Sequence, residues 1–298
     1  MKKYPLSIII VTFNNEEHIT ECLSSLKKNT LTSEVIIIDN NSHDQTLHKI
    51  KKNPQITAPL HLTLIKNKTN RGFAQAVNQG LKKCRGDFIC LLGPDCRIRE
   101  KTMEYLADFL KKHPETGLVA PQLISNQGNI HSSCRHLPTL SDVILELTGL
   151  PTLFPHKIIP HWKKVNLAPP SAREVEQPEA SCIMTHRNAF EHIGLMDEKF
   201  PIFFNDVDWC RRFLEKGYKI FYLPRAKALH YQGSSIYKNR IPMIWKSHQG
   251  FYRYFLKYSQ NCGQKFLIHL MGLLLIYTAA LRSILYIISE PLLRKFRN

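Results

Sequence analysis

Short β-branched, apolar runs alternate with helix-patterned segments along about the first 120 residues of this chain. Strands are expected near Ser7–Phe13, Glu34–Asp39, Leu60–Lys66, Asp87–Leu92 and Leu118–Pro121, and helices near Ile19–Lys28, Thr46–Lys52, Phe73–Cys84 and Glu100–Lys112. Successive strands joined through helices need crossover connections, so the alternation requires an α/β fold with a mostly parallel sheet. Ligands in such folds bind beyond the carboxyl ends of the strands, and the residues just after each strand are where chemistry is to be sought.

Beyond this region the pattern thins. From about Ser125 to Pro178 the chain is rich in Pro, His and loop signals, and Leu140–Leu150 and Pro151–Pro160 have no clear period, so no detailed structure is assigned there. A strand near Ser181–His186, a helix from about Asp206 to Lys216 stopped by Gly217, and a strand near Lys219–Leu223 then resume the α/β order. The expected organisation is one domain over residues 1–235, with halves of about 1–122 and 123–235, followed by a helical tail over 236–298. Lys2 and Lys3 ahead of an apolar run mimic a signal peptide, but Pro5 and the short Leu6–Phe13 run ending in Asn14-Asn15 read as a buried strand.

The tail has its own character. From Tyr237 to Asn298 ten basic residues stand against one acid, Glu290, which is +9 of the formal +17 of the chain. Met243–Tyr258 sets Trp245, Phe251, Tyr252, Tyr254 and Phe255 among basic residues and reads as an amphipathic helix, which Gly263 is expected to separate from Phe266–Ile288. At about 1.5 Å per residue the second stretch is long enough to cross a bilayer. His269 and Arg282 inside it favour a monotopic or re-entrant helix over a full span. Basic and apolar features meeting at one end suit an anionic membrane surface. A nucleic-acid partner is not expected, because the positive excess lies beside an apolar helix and no nucleic-acid module is recognisable. Eight scattered cysteines without a CxxC pair speak against a zinc ribbon or a disulfide framework and for a reducing compartment.

Polar residues follow the expected strands. The first ends Val11-Thr12-Phe13-Asn14-Asn15-Glu16 and the second Ile38-Asp39-Asn40-Asn41-Ser42, with Asp44 beyond. A carboxylate at a strand end can accept from a base N–H while nearby amides and hydroxyls hold a ribose; alternatively, Asp39 and Ser42 form an Asx turn or cap the next helix. Asn70-Arg71-Gly72-Phe73 leads into a helix with Arg71 placed to reach a diphosphate, or simply exposed in a turn. The fourth strand runs into Gly93-Pro94-Asp95, a carboxylate of the hard-oxygen kind that suits Mg²⁺ or Mn²⁺ on phosphate oxygens. Asn205, Asp206 and Asp208 open a helix, where acids also serve as caps.

Six blocks in this order resemble family 2 glycosyltransferases of the GT-A fold, especially the bacterial rhamnosyltransferase-like group. They are Val11-Thr12-Phe13-Asn14, Ile38-Asp39-Asn40-Asn41-Ser42, Asn70-Arg71-Gly72-Phe73-Ala74, Gly93-Pro94-Asp95, Phe204-Asn205-Asp206-Val207-Asp208-Trp209-Cys210-Arg211-Arg212 and His230-Tyr231-Gln232-Gly233-Ser234-Ser235. The resemblance covers about Pro5 to Tyr258 and implies a Rossmann-like mixed, mostly parallel sheet flanked by helices in a catalytic domain, to which the membrane-associating helical tail read above is added. It implies an inverting, metal-dependent transfer of a sugar from a nucleotide-sugar donor, dTDP-rhamnose first and a UDP-sugar next, to a saccharide acceptor. That acceptor is expected to be lipid-linked, at the cytoplasmic face of the cell membrane, in cell-surface polysaccharide synthesis.

Residue by residue, the resemblance puts Thr12, Asn14 and Asp39 at the nucleoside, with Asp39 on the base, and Arg71 and Gly72 beside the donor. It puts Asp95 and His230 on Mg²⁺ or Mn²⁺ at the diphosphate, and makes Asp206 the catalytic base. Two positions depart from the family pattern: Gly93 stands where an Asp or Asn is usual, and Asn205 where a Glu is usual. They motivate a second class of function, a catalytically silent nucleotide-sugar-binding or scaffold subunit of a membrane glycan assembly.

Overall fold

The computed structural model describes residues 5–31, 33–52, 61–165, 171–231 and 240–295. In chain order the elements are β1 (Leu6–Thr12), α1 (Ile19–Ser25), β2 (Ser33–Asp39), α2 (Thr46–Lys52), β3 (His61–Lys66), α3 (Phe73–Leu81), β4 (Phe88–Leu92), β5 (Cys96–Ile98), α4 (Thr102–Lys112) and β6 (Thr116–Ile124). There follow β7 (Cys134–Arg135), α5 (Leu140–Leu147), α6 (Leu150–Leu153), β8 (Arg173–Glu174), β9 (Gln177–Pro178), β10 (Cys182–His186), α7 (Arg187–Ile193), α8 (Asn205–Glu215), β11 (Lys219–His230), α9 (Arg240–Lys257) and α10 (Cys262–Lys295). They group into two compact units, Met1–Leu137 with Val165–Pro201 and Asn205–Ser235, and Pro138–Lys164 with Ile202–Phe204 and Ile236–Asn298.

The first unit is built on a sheet of order β3-β2-β1-β4-β10-β6-β11-β5, with β8 pairing onto β11. Pairing is parallel among β1, β2, β3 and β4 and between β6 and β11; β10 runs antiparallel to both β4 and β6, and β5 antiparallel to β11. Alternate residues of β1 serve opposite faces, as a period of two requires. Ile8 and Ile10 bury against Leu23 of α1 and Leu106 of α4 on one side, and Ile9 joins Val77 of α3 and Trp209 and Phe213 of α8 on the other. The result is a sheet between two helical layers. β2 is buried along its whole length, while the edge strand β3 exposes His61, Thr63 and Lys66.

Two strands are longer than their sequence pattern indicates. β6 runs over Thr116–Ile124 and β11 over Lys219–His230. Pro224 lies inside β11, and the pairing register to β6 shifts between Leu223 and Lys227, so an irregularity lets the strand carry a proline and continue to His230. Among its described residues the segment Ser125–Pro178, which has no readable period, holds three two-residue strands and the helices α5 and α6.

In the second unit, Gly272 of α10 lies so close to the Tyr252 ring of α9 that a Cβ there would stand 3.0 Å from Cδ2 and Cε2. Tyr252 Oη and His269 Nδ1 are 2.8 Å apart, which gives the histidine within the apolar helix a polar partner. The break between the two helices is not made by Gly263. It falls earlier, where Asn261 Oδ1 accepts from the Gln264 N–H at 2.9 Å and caps α10, leaving Gly263 inside the first turn. Helix α10 is long and apolar enough over Cys262–Ser289 to cross a membrane, and Phe266, Leu273, Tyr277 and Ile288 on it are exposed.

Candidate active site

Parallel pairing brings the carboxyl ends of β1 and β2 side by side, with Thr12 in register with Asp39. Both are buried, and Thr12 Oγ1 donates to Asp39 Oδ1 at 3.1 Å. The other carboxylate oxygen, Oδ2, accepts from the Ser42 N–H at 3.1 Å, so Asp39 is also the acceptor of a local turn. Asn14 adopts a left-handed conformation, φ 55°, which Asn tolerates better than most residues. Its N–H donates to Ser42 Oγ at 3.0 Å and its Oδ1 accepts from the His43 N–H at 2.8 Å, tying the loop after β1 to the loop after β2.

Asn40, next in line, organises the third loop. Its Nδ2 donates to Asn70 Oδ1 and to the Gly72 carbonyl at 3.0 and 3.1 Å, and its Oδ1 accepts from the Arg71 N–H at 3.1 Å. The structure therefore fixes Arg71 through its backbone, with the side chain exposed. Gly72 has φ 83°, and a Cβ on it would sit 2.8 Å from both Cβ and O of Pro201. The adjoining Phe73 N–H donates to that same Pro201 carbonyl at 2.5 Å. A side chain at position 72 meets backbone as well as strain.

At the other half of the rim, β4 exits into Gly93-Pro94-Asp95 beside the entry of the antiparallel β10, and the Gly93 N–H donates to the Ser181 carbonyl at 2.7 Å. β11 ends alongside, with His230 paired to Cys96 and the Tyr231 N–H donating to the Asp95 carbonyl at 3.0 Å. His230 Nε2 lies 3.5 Å from Asp95 Oδ2. Its Nδ1 lies 3.2 Å from Glu179 Oε1, though out of line for a hydrogen bond. Burial opposes a charge on His230, but Asp95 and Glu179 outweigh it and lift the imidazole to about 10. Arg97, paired with Glu21, lies over the Tyr231 ring at 4.4 Å, and the His18 ring stacks with Tyr231 at a centroid distance of 4.8 Å. Beyond Tyr231, residues 232–235 of the sixth block lie outside the described residues.

Asp206 opens α8 and is half-buried. Its Oδ1 accepts from the Val207 N–H at 2.9 Å, in the manner of a first-turn acid, and its Oδ2 accepts from Gln177 Nε2 at 3.1 Å. Burial pushes this carboxyl up to about 6, and the negative charge of Glu179 adds to the rise against the Val207 N–H. Asp208, two residues on, is fully buried and receives Arg212 Nε at 3.0 Å, so the two acids of the block have separate environments.

The chain thus brings Thr12 to Asp39, and Asp95 to His230, and it links Asp206 to the second pair through Gln177 of β9 and Glu179 of the β9–β10 connection. Glu179, His131 and Gln177 are absent from the sequence reading. Glu179 Oε2 lies 3.4 Å from His131 Nε2, and its Oε1 accepts from Ser181 Oγ at 2.6 Å. Burial would raise the Glu179 carboxyl, but the histidines reverse this and hold it well below the usual carboxylate range. Only the antiparallel pairing of β10 with β4 puts position 179 beside position 95, and neither strand announces that pairing in its own residues.

A model of glycosyl transferase family 2 matches residues 7–165, more than half of the chain. The chain belongs to glycosyl transferase family 2. Among relatives of this glycosyltransferase, the N-acetylglucosaminyl-diphospho-decaprenol L-rhamnosyltransferase of Mycobacterium tuberculosis is 24% identical over 260 residues, covering 83% of this chain and 82% of the relative. The low-salt glycan biosynthesis hexosyltransferase Agl10 of Haloferax volcanii is 23% identical over 233 residues, 76% of this chain and 67% of its own. The fold matches the mannosyltransferase of Pyrobaculum calidifontis, solved with GDP-Man and Mn²⁺, at a TM-score of 0.58 and 18% identity over 97% of this chain and 76% of that one. It also matches S. aureus TarS 1–349 in complex with UDP-GlcNAc at a TM-score of 0.54 and 19% identity, over 91% and 72%. This family 2 glycosyltransferase has the GT-A fold that the resemblance of its six blocks implies.

Proposed function

We propose that this family 2 glycosyltransferase transfers a sugar from a nucleotide-sugar donor, dTDP-rhamnose or a UDP-sugar, to a lipid-linked saccharide with inversion at the anomeric carbon. The observation that carries the reading is the Asp206 carboxyl, half-buried and pushed up to about 6, one connection away from the Asp95–His230 pair. A general base performs best when its pKa approaches the working pH, and a carboxylate raised toward 6 is deprotonated yet more basic than an exposed one.

In this mechanism Asp39 accepts from the base of the donor, and the Asn14–Ser42 and Asn40–Arg71 loops hold the ribose and diphosphate. Asp206 takes the proton from an acceptor hydroxyl as that oxygen attacks the sugar on the face opposite the nucleotide. Gln177 holds Asp206 Oδ2, leaving Oδ1, shared with the Val207 N–H, to receive the proton. Arg71 and His230 lie near the negative charge that grows on the departing diphosphate. Asp95 and His230 offer one hard oxygen and one nitrogen at a separation of 3.5 Å, and two donors of a Mg²⁺ or Mn²⁺ ion stand about 3 Å apart. They fit that ion, which when bound supplies charge neutralisation at the diphosphate. Cys96, also near this pair, is a thiol that burial pushes up and that donates to the Ser181 carbonyl, and it does not fit a hard cation.

A Cβ at position 93 would meet Asp95 Oδ1 at 2.8 Å, so a side chain there would have to displace the Asp95 carboxylate. The acceptor class follows the names of relatives, one acting on a decaprenol diphosphate sugar and one on a dolichyl phosphate sugar. The basic tail and the exposed apolar face of α10 support binding to an anionic membrane at its cytoplasmic face, with residues 1–235 as the catalytic domain and 236–298 as the attachment.

The test is nucleotide release from a panel of dTDP- and UDP-sugars with Mn²⁺ or Mg²⁺, run for the parent and for Asp206→Asn. Turnover at the parental rate in a folded, donor-binding Asp206→Asn protein removes the base assignment. No release from any donor points to the silent subunit instead. Full-length protein that stays soluble and ignores anionic liposomes at moderate salt removes the membrane part.

A further inference from the structure

Glu179, on the connection into β10, contacts two histidines and a serine. Its backbone N–H donates to the Ser133 carbonyl at 2.8 Å, which fixes its Cα beside β7. One carboxylate oxygen takes Ser181 Oγ at 2.6 Å and faces His230 Nδ1 at 3.2 Å; the other faces His131 Nε2 at 3.4 Å. The His230 ring is therefore flanked by carboxylates at both nitrogens, Glu179 at Nδ1 and Asp95 at Nε2. The His131 ring stands edge-on to it, with centroids 5.6 Å apart.

An imidazole binds a cation through one nitrogen only when the other carries the proton, and which nitrogen that is depends on what accepts at the far side. Metal-binding histidines accordingly have a carboxylate, carbonyl or water on the second nitrogen, and losing that partner typically costs about 10–100-fold in metal affinity. The His230 Nδ1 is closed to solvent, and Glu179 Oε1 is the carboxylate oxygen that faces it, at 3.2 Å.

We propose that Glu179 is a positioning residue that holds His230 with its proton on Nδ1 and its Nε2 turned to Asp95, and that His131 anchors Glu179 from the opposite side. This rests on Asp95 and His230 being ligands of the divalent cation. A purely structural role for Glu179 predicts lower stability on substitution and no selective change in cation binding.

The experiment is a Mn²⁺ titration of the full-length protein, with and without UDP, following the free-ion signal by electron paramagnetic resonance, with a thermal melt of each variant. Glu179→Gln keeps the volume but places an NH₂ against a donor, and is expected to weaken Mn²⁺ about tenfold, Glu179→Ala by up to about 100-fold, and His131→Ala by less than either. Nucleotide release by Glu179→Gln recovers toward the parental kcat as Mn²⁺ is raised, so the loss reads in the KM for metal. Mn²⁺ affinity within twofold of the parent in Glu179→Gln and His131→Ala, while His230→Ala loses tenfold or more, overturns the proposal and leaves the ligand reading intact. If Asp95→Ala and His230→Ala also bind Mn²⁺ like the parent, the ligand reading fails and the proposal with it.

Discussion

At the β1–β2 end of the rim, Asp39 is buried with both oxygens satisfied by neutral donors, Thr12 Oγ1 and the Ser42 N–H. At the β4–β10–β11 end, Asp95 and Glu179 flank the imidazole of His230, and the charge of Glu179 reaches Asp206. The first region is hydrogen-bonded before any ligand arrives, and Asn14, Asn40, Asn70 and Asn67 extend the same neutral network through three loops. In the second region His230 offsets the charge of Asp95 and Glu179, while the Asp206 carboxyl bears the cost of burial and of the nearby Glu179 charge. A rigid neutral socket suits recognition, whereas a crowded acidic one suits chemistry that moves protons and negative charge.

The sharpest way to break this contrast is Asp206→Asn. Loss of a placed base is worth about 10²–10⁴-fold in kcat, and that fall is expected with donor binding unchanged. Stability should move the other way. The native carboxyl sits at about 6 against an ordinary 3.8, so its contribution to stability is present below about pH 4 and is lost as pH rises through 6. At neutral pH the charged carboxylate is destabilising, and Asn is expected to gain roughly 1–2 kcal/mol once partial exposure is allowed for. A melt at pH 7.5 that shows Asp206→Asn less stable than the parent contradicts the crowding.

The same carboxyl predicts a pH profile. kcat/KM is expected to be flat above about pH 7 and to fall about tenfold per unit below 6. Because Glu179 contributes to the rise, Glu179→Gln should move this midpoint toward lower pH, which a profile at saturating Mn²⁺ reads directly. An acid limb near 4 in the parent places the titrating group in water and removes Asp206 from the crowded half.

The two regions also differ in how far the sequence reveals them. Parallel strands advertise themselves, since β1 and β2 are largely apolar runs and the residues after them must lie at one edge, so the rim position of Thr12, Asn14 and Asp39 follows from pattern, while their role at the donor comes from the resemblance. Asp95 and Asp206 are legible as strand-end and helix-start acids, and β11 is foreseen only as far as Leu223 because Pro224 masks its continuation to His230. Glu179, Gln177 and His131 lie on two-residue strands and turns between Ser125 and Ser181, where no period exists to be read. Their position depends on β10 reversing direction between β4 and β6, a property of the sheet rather than of the segment. The break before α10 was hidden for a smaller reason, since an Asn cap and a helical Gly two residues later send the same kind of signal.

The smallest effect is expected from Thr12→Val, which keeps shape and removes one hydroxyl. Thr12 Oγ1 and Asp39 Oδ1 are buried 3.1 Å apart, so the substitution leaves a carboxylate oxygen without its donor and should cost about 1–3 kcal/mol of stability. If the β1–β2 half only holds the donor, its KM rises a few-fold, kcat stays within a factor of two, and the acid limb of the pH profile does not move. Asp39 and Asp206 are linked by no described hydrogen bond, and charge effects across such a rim are screened by the solvent within it. A Thr12→Val enzyme whose acid limb shifts by half a unit or more therefore shows the two halves to be one electrostatic network, and the division into socket and reaction centre has to be given up.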